Sequence, residues 1–149
     1  MRDAEANSGA RSLPEPGVKI PPRDYGPFES EELARYAAAS GDSNPIHLDV
    51  KAAESAGLSG TPVHGMLMLS CFEPFIKEWR QDLFLARLSC KFLGPVFAGE
   101  SIRISGRAVS RRESPCPESV LRLTAHRPDN RLAMLGEAKV RHKPLGRPR

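Results

Sequence analysis

The sequence is poor in cysteine and in aromatic residues, and it has no long apolar run. Three cysteines, an odd number without a Cys-x-x-Cys spacing, argue against a disulfide framework and against a zinc knuckle. Aromatic residues make up 6% of the chain, without the basic and aromatic pattern of a nucleic-acid-binding surface. No apolar segment approaches the length of a membrane span. The first residues lack the charged, apolar and small-residue pattern of a signal peptide, so none is expected. The sequence therefore predicts a cytoplasmic protein that binds neither nucleic acid nor membrane.

The residues that are present predict one globular domain. The chain has 149 residues, of which 40% are hydrophobic, enough for a single core. Residues 1–17 and 142–149 lack apolar periodicity, so we expect a disordered arm and a basic disordered tail that are both dispensable. The formal net charge is +4, and the basic residues of 141–149 suggest that this charge belongs to the tail rather than to a folded face. Residues 18–141, without an internal repeat, form the predicted domain.

The segment 40–65 organises the rest of the sequence. Gly41 is free to take a positive φ and to end the preceding helix. Pro45 fixes its own φ and excludes the residue before it from the helical region. The chain is therefore bent between Asp42 and His47, and we expect their side chains to converge. An acid and an imidazole on a constrained loop are typical of a general acid–base pair, although two such residues are more often a loop cap and a structural histidine.

Short helices are predicted on both sides of this loop. Ser30 is predicted to cap a helix that ends at Gly41, with acidic residues in its first turn. Asp49 is predicted to cap a second helix that runs through Ala56 and is closed by Gly57.

The remaining elements predict an α+β fold. The segment Gly65–Trp79 is apolar on most sides, which is typical of a buried helix, and Pro74 is predicted to kink it or to shift its hydrogen bonding. Residues 18–28, interrupted by prolines, supply at most an edge strand. One central buried helix followed by consecutive antiparallel strands is an α+β layout. A period of two predicts these strands at Leu83–Phe92, Ser101–Ser110, Ser119–His126 and Leu132–Arg141.

A longer pattern surrounds the loop. Residues 40–49 read Ser-Gly-Asp-Ser-Asn-Pro-Ile-His-Leu-Asp, and residues 63–67 read Val-His-Gly-Met-Leu. Together with Lys-Phe-Leu at 91–93 and Pro-Val-Phe-Ala-Gly-Glu at 95–100, the pattern resembles the MaoC-like, (R)-specific enoyl-coenzyme A hydratase family. The resemblance spans residues 18–141. It implies the hot-dog fold, in which an antiparallel sheet wraps around one central helix.

The resemblance also implies roles for individual residues. Asp42 and His47 match the catalytic pair, which would add water to a trans-2-enoyl thioester or remove it in reverse. Gly65 matches the residue whose backbone N–H holds the thioester carbonyl, and its place at a helix start supports that role. Asn44 matches a family position and either orients the pair or only forms the turn.

Glu73 departs from the family pattern. A small residue, serine or glycine, is common eight positions after the glycine of the His-Gly pair. An unpaired buried carboxylate is costly. Glu73 is therefore expected either to bind substrate by lining the acyl channel, or to face solvent or a basic partner.

The sequence gives less support to three other candidates for a chemical role. His64 beside a glycine at a helix start is more often structural than chemical. Cys71 lies in an apolar helix, where cysteines are usually inert. Asp42, His47 and His64 lack the short spacing of a metal site, so no metal is predicted.

The predicted function is (R)-specific hydration of trans-2-enoyl thioesters, or dehydration of (3R)-hydroxyacyl thioesters, without a cofactor. The alternatives are a non-catalytic acyl-thioester-binding subunit of a heteromeric dehydratase and, disfavoured by the Asn-Pro-Ile-His string, a hot-dog thioesterase. The predicted substrate is an acyl thioester of coenzyme A or of an acyl carrier protein. Sheet edges must be paired or protected, and together with the resemblance this predicts a homodimer.

Overall fold

The sheet is a single antiparallel layer of five strands. A computed structural model describes residues 12–144, and its strand order is β1-β3-β4-β5-β2. The strands are β1 Lys19–Tyr25, β2 Leu83–Phe92, β3 Ile102–Arg112, β4 Glu118–His126 and β5 Leu132–His142. Within the described residues, four α-helices lie between β1 and β2 in the chain: α1 Ser30–Ser40, α2 Val50–Ser55, α3 Gly65–Ser70 and α4 Phe72–Trp79. None of these helices has the length and apolar character needed to cross a membrane.

The strand predictions are confirmed. Strand β2 begins and ends at the predicted residues, and β3, β4 and β5 differ from prediction only at their ends. In β4, Leu121 and Leu123 are buried while Arg122 between them is exposed, which is the alternation that predicted a strand with one face in the core. The proline-interrupted segment forms β1 at one edge of the sheet. The α+β fold class and its hot-dog architecture are therefore confirmed.

Two strand glycines allow the central helix to lie close to the sheet. A Cβ at Gly106 would be 2.8 Å from Leu123 and 3.3 Å from Phe75, and a Cβ at Gly136 would be 2.9 Å from Phe72. Glycine inside a strand is otherwise unfavourable and often marks a close approach of another element. Both phenylalanines are fully buried on α4. The rings of α4 therefore occupy the space that side chains on β3 and β5 would fill.

The central helix is broken in the turn that precedes Pro74. The segment Gly65–Trp79 forms two helices, α3 and α4, and the break lies at Cys71. The ring of a proline clashes with the carbonyl four residues earlier, which for Pro74 is that of Ser70. The backbone N–H of Cys71 accordingly bonds to Met68, three residues back. The effect of Pro74 therefore appears in the turn before the proline, and the predicted kink or shift of hydrogen bonding is confirmed.

The helix caps agree with prediction at three of four positions. Gly57 follows α2 in the left-handed conformation, with φ of 82°. Gly41 ends α1 in the left-handed conformation, with φ of 79°. The side chain of Asp49 accepts a hydrogen bond from the backbone N–H of Lys51, as expected of the cap of α2. At the start of α1 the prediction is wrong, because Glu29 occupies the cap position without a side-chain hydrogen bond and Ser30 is already helical.

Residues 12–17 pack against the sheet, so the predicted disordered arm 1–17 is wrong for this part. Leu13 is 3% exposed and belongs to the hydrophobic core. The hydroxyl of Ser119 donates to the carbonyl of Pro14 at 2.6 Å. Arg111 donates to the carbonyl of Leu13 and pairs with Glu15 at 3.0 Å. Residues 1–11 lie outside the described part of the chain.

The predicted C-terminal tail also begins later than residue 142. His142 is the last residue of β5, and the backbone N–H of Lys143 bonds to the carbonyl of Asp82 at 2.9 Å. Residues 145–149 lie outside the described part of the chain, so the prediction for them stays a prediction.

The outer face of the sheet is basic, which the sequence did not predict. Lys19 lies directly opposite Arg107, and Arg107 lies opposite Arg122 on the next strand. All three are exposed. Arg87 lies opposite Lys139 in the same way on the other half of the sheet. Like charges directly opposite each other destabilise a sheet. Because these basic residues lie on the folded sheet, the positive charge of the protein is not confined to its tail.

Truncation distinguishes the packed part of the arm from the rest. Removing residues 1–16 should destabilise the fold by about 2 kcal/mol or more, because it exposes the site of Leu13 and leaves Ser119 and Arg111 without their partners. Removing residues 1–11 is the matched control and should leave the melting temperature unchanged. Thermal unfolding of the two variants measures the difference. Equal melting temperatures would show that residues 12–16 do not contribute to the core.

Candidate acid–base site

The loop between α1 and α2 is held by local contacts. Gly41 turns the chain out of α1. The side chain of Asn44 accepts a hydrogen bond from the backbone N–H of Ile46 at 3.2 Å, and Pro45 opens a 3₁₀ turn that ends at His47. Asn44 therefore forms the turn through its side-chain oxygen. The bend predicted from Gly41 and Pro45 is observed.

The side chains of Asp42 and His47 converge, as predicted. The Oδ2 atom of Asp42 lies 3.8 Å from Nε2 of His47. This distance is too long for a direct hydrogen bond, and it leaves each group able to bond to a water or substrate oxygen placed between them. The side chain of Asp42 is 53% exposed, whereas that of His47 is 12% exposed. One member of the pair therefore faces solvent while the other is held by the fold.

A backbone carbonyl determines which nitrogen of His47 faces Asp42. Nδ1 of His47 lies 2.7 Å from the carbonyl oxygen of Pro62. A carbonyl only accepts hydrogen bonds, so the proton of the neutral imidazole is on Nδ1. Nε2 then carries the lone pair and faces the carboxylate. This is the tautomer that a general base directed at the space beside Asp42 requires.

His64 contacts both Asp42 and His47. Its side chain is buried, and its Nε2 donates to the backbone carbonyl of Asp42 at 3.1 Å. Its ring is stacked on His47, with centroids 3.9 Å apart and 22° between the planes. Tyr36 contacts the ring of His64 at a centroid distance of 4.8 Å. Burial lowers the pKa of His64. The sequence had marked His64 as structural, and it assigned no role in the site to Tyr36.

Gly65 opens α3 beside an aromatic side chain. A Cβ at this position would lie 2.9 Å from the ring of Phe92, so a larger residue would displace the ring. Phe92 and Met66 are both about half exposed, at 51% and 58%. The backbone N–H of Gly65 has no hydrogen-bond acceptor within residues 12–144. Phe92 was not singled out from the sequence, because its contact with Gly65 joins β2 to α3.

Glu73 and Cys71 lie apart from this group. The carboxylate of Glu73 pairs with Lys77 at 2.9 Å on the exposed side of α4, which corresponds to the second of the two predicted alternatives, a basic partner at the surface. The assignment of Glu73 to substrate binding has no supporting contact in the described chain and stays a prediction. Burial raises the pKa of the Cys71 thiol to about 11, so it is protonated at neutral pH and a poor nucleophile.

The arrangement of the two histidines does not fit a metal ion. Asp42, His47 and His64 each offer a ligand atom, and these atoms lie within 4.8 Å of one another, a proximity that sequence spacing had not revealed. A metal ion lies in the plane of each imidazole ligand, about 2 Å from its nitrogen. The planes of the two rings differ by only 22° and their centroids are 3.9 Å apart, so one ion cannot lie in both planes at about 2 Å from a nitrogen of each ring. Nδ1 of His47 and Nε2 of His64 are also already bonded to carbonyl groups.

The comparisons with known proteins agree on one family. A family model for MaoC-like domains matches residues 11–124. The (R)-specific enoyl-CoA hydratase of Aeromonas caviae is 32% identical over 117 residues, which cover 76% of this chain and 86% of that protein. The mitochondrial 3-hydroxyacyl-[acyl-carrier-protein] dehydratase of Arabidopsis thaliana is 36% identical over 87 residues, which cover 58% of this chain and 52% of that protein. The chain therefore spans about half the length of this plant relative.

Solved structures show the same fold. The (R)-hydratase of A. caviae superposes with a TM-score of 0.80 at 31% identity, over 90% of this chain and 100% of that chain. An R-hydratase of Pseudomonas aeruginosa superposes with a TM-score of 0.72 at 20% identity, over 91% and 90% of the two chains. The family model and the A. caviae relative establish that the chain belongs to the MaoC-like domain family, a family of hydratases and dehydratases.

Proposed function

We propose that this protein catalyses the (R)-specific hydration of trans-2-enoyl thioesters and the reverse dehydration of (3R)-hydroxyacyl thioesters. One observation carries the proposal: Oδ2 of Asp42 and Nε2 of His47 face a common space, 3.8 Å apart. The named activities of the A. caviae and Arabidopsis relatives support it. The substrate is proposed to be an acyl thioester of coenzyme A or of an acyl carrier protein, the two carriers named for these relatives.

The pair is proposed to act on a water molecule between the two side chains. One group takes a proton from the water as its oxygen forms a bond to Cβ of the enoyl chain. Electrons of the double bond shift to the thioester carbonyl, and a proton from the pair is then delivered to Cα. The lone pair on Nε2 of His47 and the carboxylate of Asp42 are both suited to accept the first proton. The reverse sequence of steps gives dehydration.

Gly65 is proposed to stabilise the negative charge on the carbonyl oxygen. Its backbone N–H has no acceptor among residues 12–144, and the absence of a side chain allows close approach. Phe92 and Met66 beside it supply apolar surface against which an acyl chain can pack. Asn44 is proposed to contribute through the turn, and its amide nitrogen remains available as a donor to the substrate.

Neutralising Asp42 tests the proposed chemistry. Asp42→Asn keeps the shape of the side chain but removes the carboxylate that accepts or returns a proton, so kcat for hydration of crotonyl-coenzyme A should fall by about 10²–10⁴-fold. The melting temperature should be nearly unchanged, because this side chain is half exposed. Loss of absorbance of the enoyl thioester, with chiral analysis of the product, measures both rate and stereochemistry.

Asp49→Asn is the matched control for Asp42. It makes the same chemical change on the same loop, and asparagine is an equally good helix cap. Its kcat should equal that of the wild type. An Asp42→Asn variant that retains more than a tenth of wild-type kcat would refute the assignment of Asp42.

Glu73→Ser tests whether the Glu73 carboxylate reaches the acyl site. Because Glu73 pairs with Lys77 at the surface, we expect the relative kcat/KM for short and medium acyl chains to be unchanged. Lys77→Met breaks the same ion pair and serves as the control. A shift in chain-length preference in Glu73→Ser alone would assign Glu73 to the substrate channel.

We propose that the protein is a homodimer. Strand β2 lies at an edge of the sheet, and Phe92, Leu93 and Met66 near its end are exposed apolar residues. An unpaired edge strand with apolar neighbours favours association. Sedimentation velocity at micromolar concentration should give twice the chain mass of 16.3 kDa. A fully active monomer at that concentration would contradict the proposal.

A further inference from the structure

The loop of residues 42–48, which carries Asp42 and His47, is hydrogen-bonded to the rest of the fold through one segment of the chain. Within the described residues, two hydrogen bonds link residues 42–48 to residues more than ten positions away in the chain. One joins Nδ1 of His47 to the carbonyl of Pro62, and the other joins Nε2 of His64 to the carbonyl of Asp42. The other hydrogen bonds of this loop are made to residues within five positions. The segment 62–64 is therefore the support on which the orientation of the loop depends.

That segment is itself part of the rigid core. Residues 61–64 are all buried. The backbone N–H of Val63 bonds to the carbonyl of Val96 at 2.7 Å, and Pro62 forms a bridge with Phe97. His64, in contrast with the exposed Asp42, is 1% exposed. A buried side chain on a fixed backbone thus reaches outward to hold an exposed loop.

His64 is suited to hold the loop without reacting. Its Nδ1 atom is buried and has no hydrogen-bond partner within residues 12–144. A proton on Nδ1 would place a charged N–H group where no acceptor is available, which is unfavourable. The groups around the ring are the carbonyl of Asp42, the ring of His47 and the ring of Tyr36. His64 therefore presents a neutral ring face to His47, and it does not repel the imidazolium that forms on His47 when it takes a proton.

We propose that His64 is a positioning residue for the acid–base pair, holding the backbone of Asp42 through Nε2–H and the ring of His47 through stacking. This inference rests on the proposed hydration activity for its kinetic consequence. Loss of His64 should reduce kcat, because the two side chains would no longer face the same space, whereas the apolar acyl contacts and therefore KM should change little.

Three substitutions separate the two contacts. His64→Gln retains an N–H donor but has no ring, and His64→Phe retains a ring but has no donor. His64→Leu has neither and keeps an apolar side chain in the buried position. We expect kcat of His64→Leu to fall at least tenfold with KM within about threefold of wild type, the pattern of a group that acts in the transition state. Each of the other two variants should recover part of the loss. His126→Gln, a histidine on the outer face of the sheet, is the control and should match the wild type.

A second measurement does not depend on activity. The Nδ1–H proton of His47, bonded to the Pro62 carbonyl, should give an NMR signal that is protected from exchange. The four histidines of the chain can be assigned from the single variants. The signal should persist in His64→Gln, His64→Phe and His126→Gln, and it should broaden or disappear in His64→Leu.

The outcomes separate the two proposals. Wild-type protein without hydratase activity would refute the proposed function, and the NMR signal would still decide whether His64 positions His47. His64→Leu with kcat within twofold of wild type, or with an unchanged His47 signal, would overturn the positioning role. If His64→Leu does not fold, His64→Gln and His64→Phe decide the question, because a positioning role requires that each lose part of the kcat at an unchanged melting temperature.

Discussion

The distance between the central helices and the sheet is the constraint on which the rest of the structure depends. It is set by the fully buried rings of Phe72 and Phe75, which lie where side chains at Gly136 and Gly106 would otherwise be. Interiors are close-packed, so a shift of α4 by the width of a methyl group would have to be accommodated throughout the core. Because α3 joins α4 directly at Cys71, this packing also determines where Gly65 lies relative to the ring of Phe92.

The candidate site combines an exposed loop with a buried support. A reactive pair must be open to substrate, yet its side chains must be held close to the productive geometry. Asp42 meets the first requirement and His47 the second, since their side chains are 53% and 12% exposed. The hydrogen bonds from the segment 62–64 connect them to the core. The Nδ1 atom of His64 is buried without a partner in the described part of the chain, which is a cost of this arrangement because such atoms are rare.

The basic residues of the sheet lie on its outer face, away from the candidate site. The cationic residues Lys19, Arg107 and Arg122 form a row across the outer face of three strands, whereas the acid–base pair lies among the helices on the chain segment between α1 and α2. Glu118, buried at the outer face, pairs with Arg141 at 2.8 Å and reduces the repulsion locally. At the end of the row, Arg122 lies directly opposite Glu137 on β5, so the like charges that face each other are those of Lys19, Arg107 and Arg122. The row gives the outer face a positive field that favours contact with anions over contact with cations.

Local interactions made much of this protein predictable from its sequence alone. The bend between Asp42 and His47 follows from Gly41, Asn44 and Pro45 within the loop itself, and the strands follow from a two-residue alternation, because both effects act over a few positions of the chain. The contacts that join distant positions were not predictable in this way. Ser119 holds Pro14 across 105 positions, and His64 holds Asp42 across 22. The packed N-terminal segment, the support of the loop and the basic outer face appeared only in the tertiary structure, because neither periodicity nor composition specifies which distant residues meet when the sheet closes around its helices.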